Sequence, residues 1–252
     1  MKNLIRLLSV MLVIALAAAV FTACSNNNAS VTTNGTKEDT TDDIIDDTGM
    51  AIGGGWQAGE LAADNVSAEQ KAVFEKALSG EGLGVGVDYT PKDVLAKQTV
   101  AGWKYAFLCV KKIVVPGATP SWCVITVYEG TDGSTAVERV ADIDIADIKT
   151  KENSSAGENP SGGWDADVNE TKLSVSAKVD GAIDNYVGLS LTPTAVLGTQ
   201  VVAGTNYKIL AYGAPVVPNA SYDLYVVTVF DEASGDAQVT SVEVFDLISY
   251  LS

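Results

Sequence analysis

The sequence predicts an α+β protein made of two tandem copies of one domain, each with one helix packed on a four- to five-stranded antiparallel sheet. Two observations carry this. The first is a phrase written twice: Thr90-Pro-x-x-Val-Leu-x-x-Gln98-x-Val-Ala-Gly102 returns, at an offset of 102 residues, as Thr192-Pro-x-x-Val-Leu-x-x-Gln200-x-Val-Ala-Gly204. The offset persists through Tyr105/Tyr207, Val115-Pro116/Val217-Pro218, Thr126-Val127/Thr228-Val229 and Val137/Val239. A period near a hundred residues marks a duplicated domain, because one solenoid repeat runs to only ~20–50 residues. The second is the order of hydrophobic patterns, a helix period followed by strand periods in each half.

Each half opens on glycine and tryptophan, Gly53-Gly54-Gly55-Trp56 and Ser161-Gly162-Gly163-Trp164. A helix follows. Val66, Val73, Phe74, Ala77 and Leu78 share one helical face, Ser67 and Gln70 form a capping-box pattern, and Ser79-Gly80 is a stop signal. In the second half Val175, Val179, Ala182, Ile183 and Tyr186 make the stripe and Gly188 ends it. Strands are expected over 89–98, 103–115, 123–128 and 137–148, then over 189–200, 206–212, 224–230 and 238–247. Domains are expected at 53–149 and 161–252, joined by a polar linker at 150–160.

The amino terminus reads as targeting sequence. Lys2 and Arg6 precede an apolar stretch from Leu7 to Val20, too short for a stable membrane span and suited to a secretory signal over 1–23. Phe21-Thr22-Ala23-Cys24 resembles a bacterial lipobox, which implies lipidation of Cys24 and an extracytoplasmic protein attached to the membrane by its lipid alone. Residues 24–52, rich in Asn, Thr, Ser and Asp, read as a flexible acidic tether with too little apolar surface to fold.

Charge and composition exclude several function classes. The chain has 16 basic and 32 acidic residues, a formal net charge of −16, and no histidine. Nucleic acid and anionic headgroups are poor partners for it. Imidazole metal sites and Ser-His or Cys-His nucleophile pairs are excluded outright. Asp142, Asp144 and Asp147 read as the wet face of a strand rather than a cation site. No phosphate-binding glycine loop is present, so the expectation is a protein that is not an enzyme and has no cofactor or metal. Cys109 and Cys123 lie at equal distances from the turn near Pro116, so a cross-strand disulfide and two buried thiols are both open readings.

The twice-written phrase resembles the Gln-x-Val-x-Gly hairpin of cystatins, and the second copy, followed by Thr205-Asn206-Tyr207, is close to the stefin form. The glycine pairs Gly54-Gly55 and Gly162-Gly163 match the cystatin amino-terminal trunk. The resemblance implies tandem cystatin-like domains and reversible inhibition of papain-like cysteine proteases by a wedge of trunk and hairpins. It assigns protease contact to Gly54, Gly55, Gln98, Val100, Gly102, Gly162, Gly163, Gln200, Val202 and Gly204. The second cystatin hairpin normally carries Pro-Trp or Leu-Pro, but the corresponding loops, 129–135 and 231–236, have neither. The alternative function is a surface binding or adhesion module that uses the same framework without inhibiting.

Overall fold

The structure is a computed structural model that describes residues 51–53, 55–58, 66–81, 83, 85–151, 163–168 and 175–252. The expected signal, Cys24, the tether up to residue 50, Gly54, Gly162 and most of the expected linker lie outside these residues. No described helix is long and apolar enough to cross a membrane.

The first half forms a six-stranded sheet. Its strands are β1 (Ala51–Gly53), β2 (Trp56–Ala58), β3 (Val87–Val100), β4 (Gly102–Ile113), β5 (Ser121–Gly130) and β6 (Thr135–Ile143), adjacent in chain order and all antiparallel. Between β2 and β3 the helix α1 (Ala68–Glu81) crosses one face. The second half repeats the plan with β7 (Asp165–Ala166), α2 (Ala177–Asp184), β8 (Leu189–Val202), β9 (Gly204–Pro215), β10 (Asp223–Asp231) and β11 (Ala237–Val244), and ends in the short α3 (Ile248–Leu251).

Local signals act as the sequence anticipates. Ser67 and Gln70 close a capping box, with Gln70 N donating to Ser67 Oγ at 3.2 Å and Ser67 N to Gln70 Oε1 at 2.8 Å. Ser176 caps α2 through the Val179 amide. Pro91 and Pro193 sit inside β3 and β8 where the register shifts, at the bulges that tolerate a residue with no ladder donor. The expected strands are all present, with ends displaced by a few residues; the last strand of each half stops earlier than expected, at Ile143 and Val244.

The expectation of two tandem cystatin-like domains, each a helix on its own sheet, is overturned. The described residues are mostly β, with three short helices among them, and the two antiparallel sheets share a core. On its outer face the first sheet packs Val94, Phe107, Cys109, Cys123, Ile125 and Val127 under Phe74 and Ala77 of α1. On its inner face Leu95, Ala106, Leu108, Val110, Trp122 and Val124 meet Leu197, Leu210, Tyr212, Leu224 and Val226 of the second sheet. The second sheet carries Val179 and Ile183 of α2 on its own outer face. Both sheets are therefore apolar on both faces, and a sheet of that kind must be covered twice.

Polar groups lock the two sheets together. Trp122 Nε1 donates to the Leu197 carbonyl at 2.8 Å, Tyr212 OH to the Val94 carbonyl at 3.1 Å, and the Thr194 hydroxyl to buried Asp93. The contacts also give the relative direction of the strands. Lys208, four residues along β9 from Gly204, donates at 2.5 Å to the Ile145 carbonyl, beyond the far end of β6. Conversely, Arg139, four residues into β6 from its hairpin, donates at 2.9 Å to the Tyr250 carbonyl, past the far end of β11. The hairpin end of each sheet thus lies over the far end of the other, and the two hairpin edges face away from each other.

Candidate functional site

The expected site residues gather at these edges. In the first sheet Val100 pairs with Gly102 across the β3–β4 turn, Gly102 pairs with Gly130 at the β5–β6 turn, and Trp56 pairs with Gln98. Gly55, at φ +75°, stands directly before Trp56, and a Cβ there would approach Gln98 Nε2 to 3.3 Å. Glycine, first hairpin and second hairpin therefore lie side by side at one edge. Gly163, Val202–Gly204 and Asp231–Asp236 repeat the arrangement at the other, where Asp165 pairs with Thr199 and Asp231 with Thr205.

The structure divides the residues of the repeated phrase by role. Gly102, at φ +130°, lies so close to the neighbouring strand that a Cβ would strike the Glu129 carbonyl oxygen, and one on Gly204 would strike that of Asp231. These glycines are needed to bring the two hairpins together. Gln200 is buried at 1% exposure, its Oε1 accepting from Asn206 Nδ2 at 2.9 Å. A glutamine so placed braces the hairpin from within and cannot serve as a rim contact. Trp56 is likewise core, at 7% exposure, while Lys208 Nζ stands 4.5 Å above the Trp164 ring.

Exposed apolar groups stand at both edges among exposed polar ones such as Thr99, Asp132, Glu232 and Asp236. Val100 and Trp103 are 39% and 41% exposed at the first edge, Val201 and Val202 75% and 38% at the second. Trp103, Val201 and the groups that stiffen the turns were missed by sequence reasoning. Tyr128 OH donates to the Ala101 carbonyl at 2.7 Å and ties the first hairpin to the strand of the second. Lys76 of α1 donates to the Gly133 carbonyl at 2.7 Å, and Lys178 of α2 donates to that of Gly235 at 2.8 Å. Both lysines and both glycines obey the 102-residue offset, so the repeat itself contained this signal.

The edges differ electrostatically. At the first, Tyr105 OH donates to Glu129 Oε2 at 3.2 Å, and burial followed by the Glu129 charge pushes its pKa up to about 12. At the second, Asp231 accepts from Ser176 Oγ and lies 3.6 Å from Lys178 Nζ, while burial and then Asp231 raise the Tyr207 pKa. Glu232 and Asp236 add acid at the second turn, where the first has Gly130 and Ser134, while Asp132 of the first turn stands where the second has Ser234.

Cys109 and Cys123 are direct cross-strand partners, both buried and both free thiols. Among the described residues no group of three or more acidic or cysteine side chains is placed to hold a metal ion. No family model matches the chain, and no curated protein matches it.

Proposed function

We propose that the chain is a non-enzymatic, lipid-anchored surface protein that binds its partner through the hairpin edges, and that the partner is a papain-like cysteine protease inhibited reversibly. The observation that supports this reading is the convergence of Gly55, the Val100–Gly102 turn and the Gly130–Ser134 turn at one edge, with Val100 and Trp103 exposed at its rim. Both faces of both sheets are covered, so the strand ends and edges remain as binding surface. A hairpin wedge with apolar tips and braced turns loses little entropy on docking, which favours occlusion of a narrow cleft. The absence of histidine from the chain removes the usual acid–base partner for nucleophilic catalysis.

The test is a titration of papain with the chain lacking residues 1–24, followed by hydrolysis of a fluorogenic peptide. Stoichiometric, reversible loss of activity is expected. Full activity at micromolar excess would reject the protease reading.

A further inference from the structure

Building on the protease reading of the hairpin edges, we propose that this chain is a rigid bivalent ligand that holds two protease molecules at once, one at each end of the sandwich. The duplication supplies two edges, and the shared core sets the angle between them. The cross-sheet bonds from Lys208 to Ile145 and from Arg139 to Tyr250 place the hairpin end of each sheet over the far end of the other. Two domains on a flexible linker could turn both edges toward one partner, whereas edges fixed on one buried core cannot.

The dimensions allow double occupancy. The long strands β3 and β8 have 14 residues each, and at ~3.3 Å per residue the two edges stand on the order of 50 Å apart. A globular partner of about 200 residues is roughly 43 Å across by the usual size scaling. Two such molecules approaching from opposite ends do not collide, and each keeps a contact of about 800 Å² on its own side. The two sites are not equivalent. The first offers Val100 and Trp103 beside Glu129 and Asp132, while the second offers Val201 and Val202 beside three acids, Asp231, Glu232 and Asp236. The more acidic edge therefore favours the protease with the more basic cleft rim and loses more affinity as salt is raised.

The decisive experiment mixes the chain lacking residues 1–24 with carboxamidomethylated papain in excess and reads stoichiometry by native mass spectrometry and sedimentation velocity. A complex of one chain with two papain molecules is expected. Val100→Asp and Val202→Asp, both changes at exposed turn residues, are each expected to reduce it to one-to-one, and the double variant to abolish binding. Melting curves matching the parent confirm that each variant is folded. A one-to-one complex for the parent chain overturns bivalency and leaves the protease reading standing. No complex at all overturns both.

Discussion

Trp122 of the first sheet donates its indole N–H to the Leu197 carbonyl of the second at 2.8 Å, in a site where Trp122 is only 3% exposed. The bond joins the two copies of the repeat within their common core. Trp122→Phe removes this donor while the Leu197 carbonyl keeps the Asp167 amide at 3.1 Å, a loss of about 0.5–1.5 kcal/mol. Trp122→Ala adds a cavity and costs about 3–5 kcal/mol. Because the core is shared, calorimetry should show one cooperative unfolding transition for both halves, shifted down in each variant. Two separable transitions in the parent chain would contradict the shared core.

Asp93 gives the fold a pH dependence. Its carboxylate is buried between the sheets, accepting from the Thr194 hydroxyl and, at 2.8 Å, from the Val94 amide, with the Tyr212 ring nearby. Burial outweighs both hydrogen bonds and raises its pKa from 3.8 to about 6. A folded pKa above the unfolded one favours the protonated state, so this contribution is fully present below pH 3.8 and is lost as pH rises through about 6. Over roughly two units the loss amounts to about 3 kcal/mol. Asp93→Asn should therefore raise the melting temperature at pH 7 and leave it nearly unchanged at pH 3.5. An equal shift at both pH values would refute the assignment.

The lysines that reach from helix to hairpin are the third target. Lys76 and Lys178 are solvent-accessible, so removing either charge-assisted bond should change global stability by less than about 1 kcal/mol. Its local effect should be larger. In Lys76→Met the amides of 130–134 should exchange faster by hydrogen–deuterium measurement, and in Lys178→Met those of 232–236, while amides of β4 and β9 stay protected. Unchanged exchange at the turns would show that the lysines do not brace them.

Cys109 and Cys123 face each other between the first sheet and α1 as buried free thiols, and burial pushes the Cys109 thiol well up from its ordinary value. Neither should react with an aromatic disulfide reagent in the native chain lacking residues 1–24, and both should react once it is unfolded in guanidinium. Rapid native labelling of either would contradict this burial.

Much of the architecture could be read from the sequence because it rests on local physics. The capping box at Ser67 and Gln70, the helical stripes, the four long strands of each half and the turns at Gly102 and Gly204 all arise from short-range periodicity and backbone sterics, whereas the short β1, β2 and β7 carry no such signal. The duplication was equally visible, since an offset of 102 residues needs no structure to measure. What sequence reasoning lost was the second apolar face. Runs such as Ala106-Phe107-Leu108-Cys109-Val110 and Ile209-Leu210-Ala211-Tyr212 are buried on both sides, and continuity of that kind marks a doubly covered strand. The partner for that second face comes from the other copy about a hundred residues away, and no local pattern identifies it.

The candidate edges divide along the same line. The sequence by itself determined which residue types stand at the turns, that the motif occurs twice, and that a chain without histidine cannot use imidazole chemistry. Tertiary structure decided their roles. It buried Gln200 against Asn206, put Gly102 and Gly204 against neighbouring carbonyls, and left Val100, Trp103, Val201 and Val202 in contact with solvent. It also stacked the two sheets on one core, because sheets apolar on both faces bury more surface that way than by standing apart, and the Lys208–Ile145 and Arg139–Tyr250 bonds set the two edges at opposite ends.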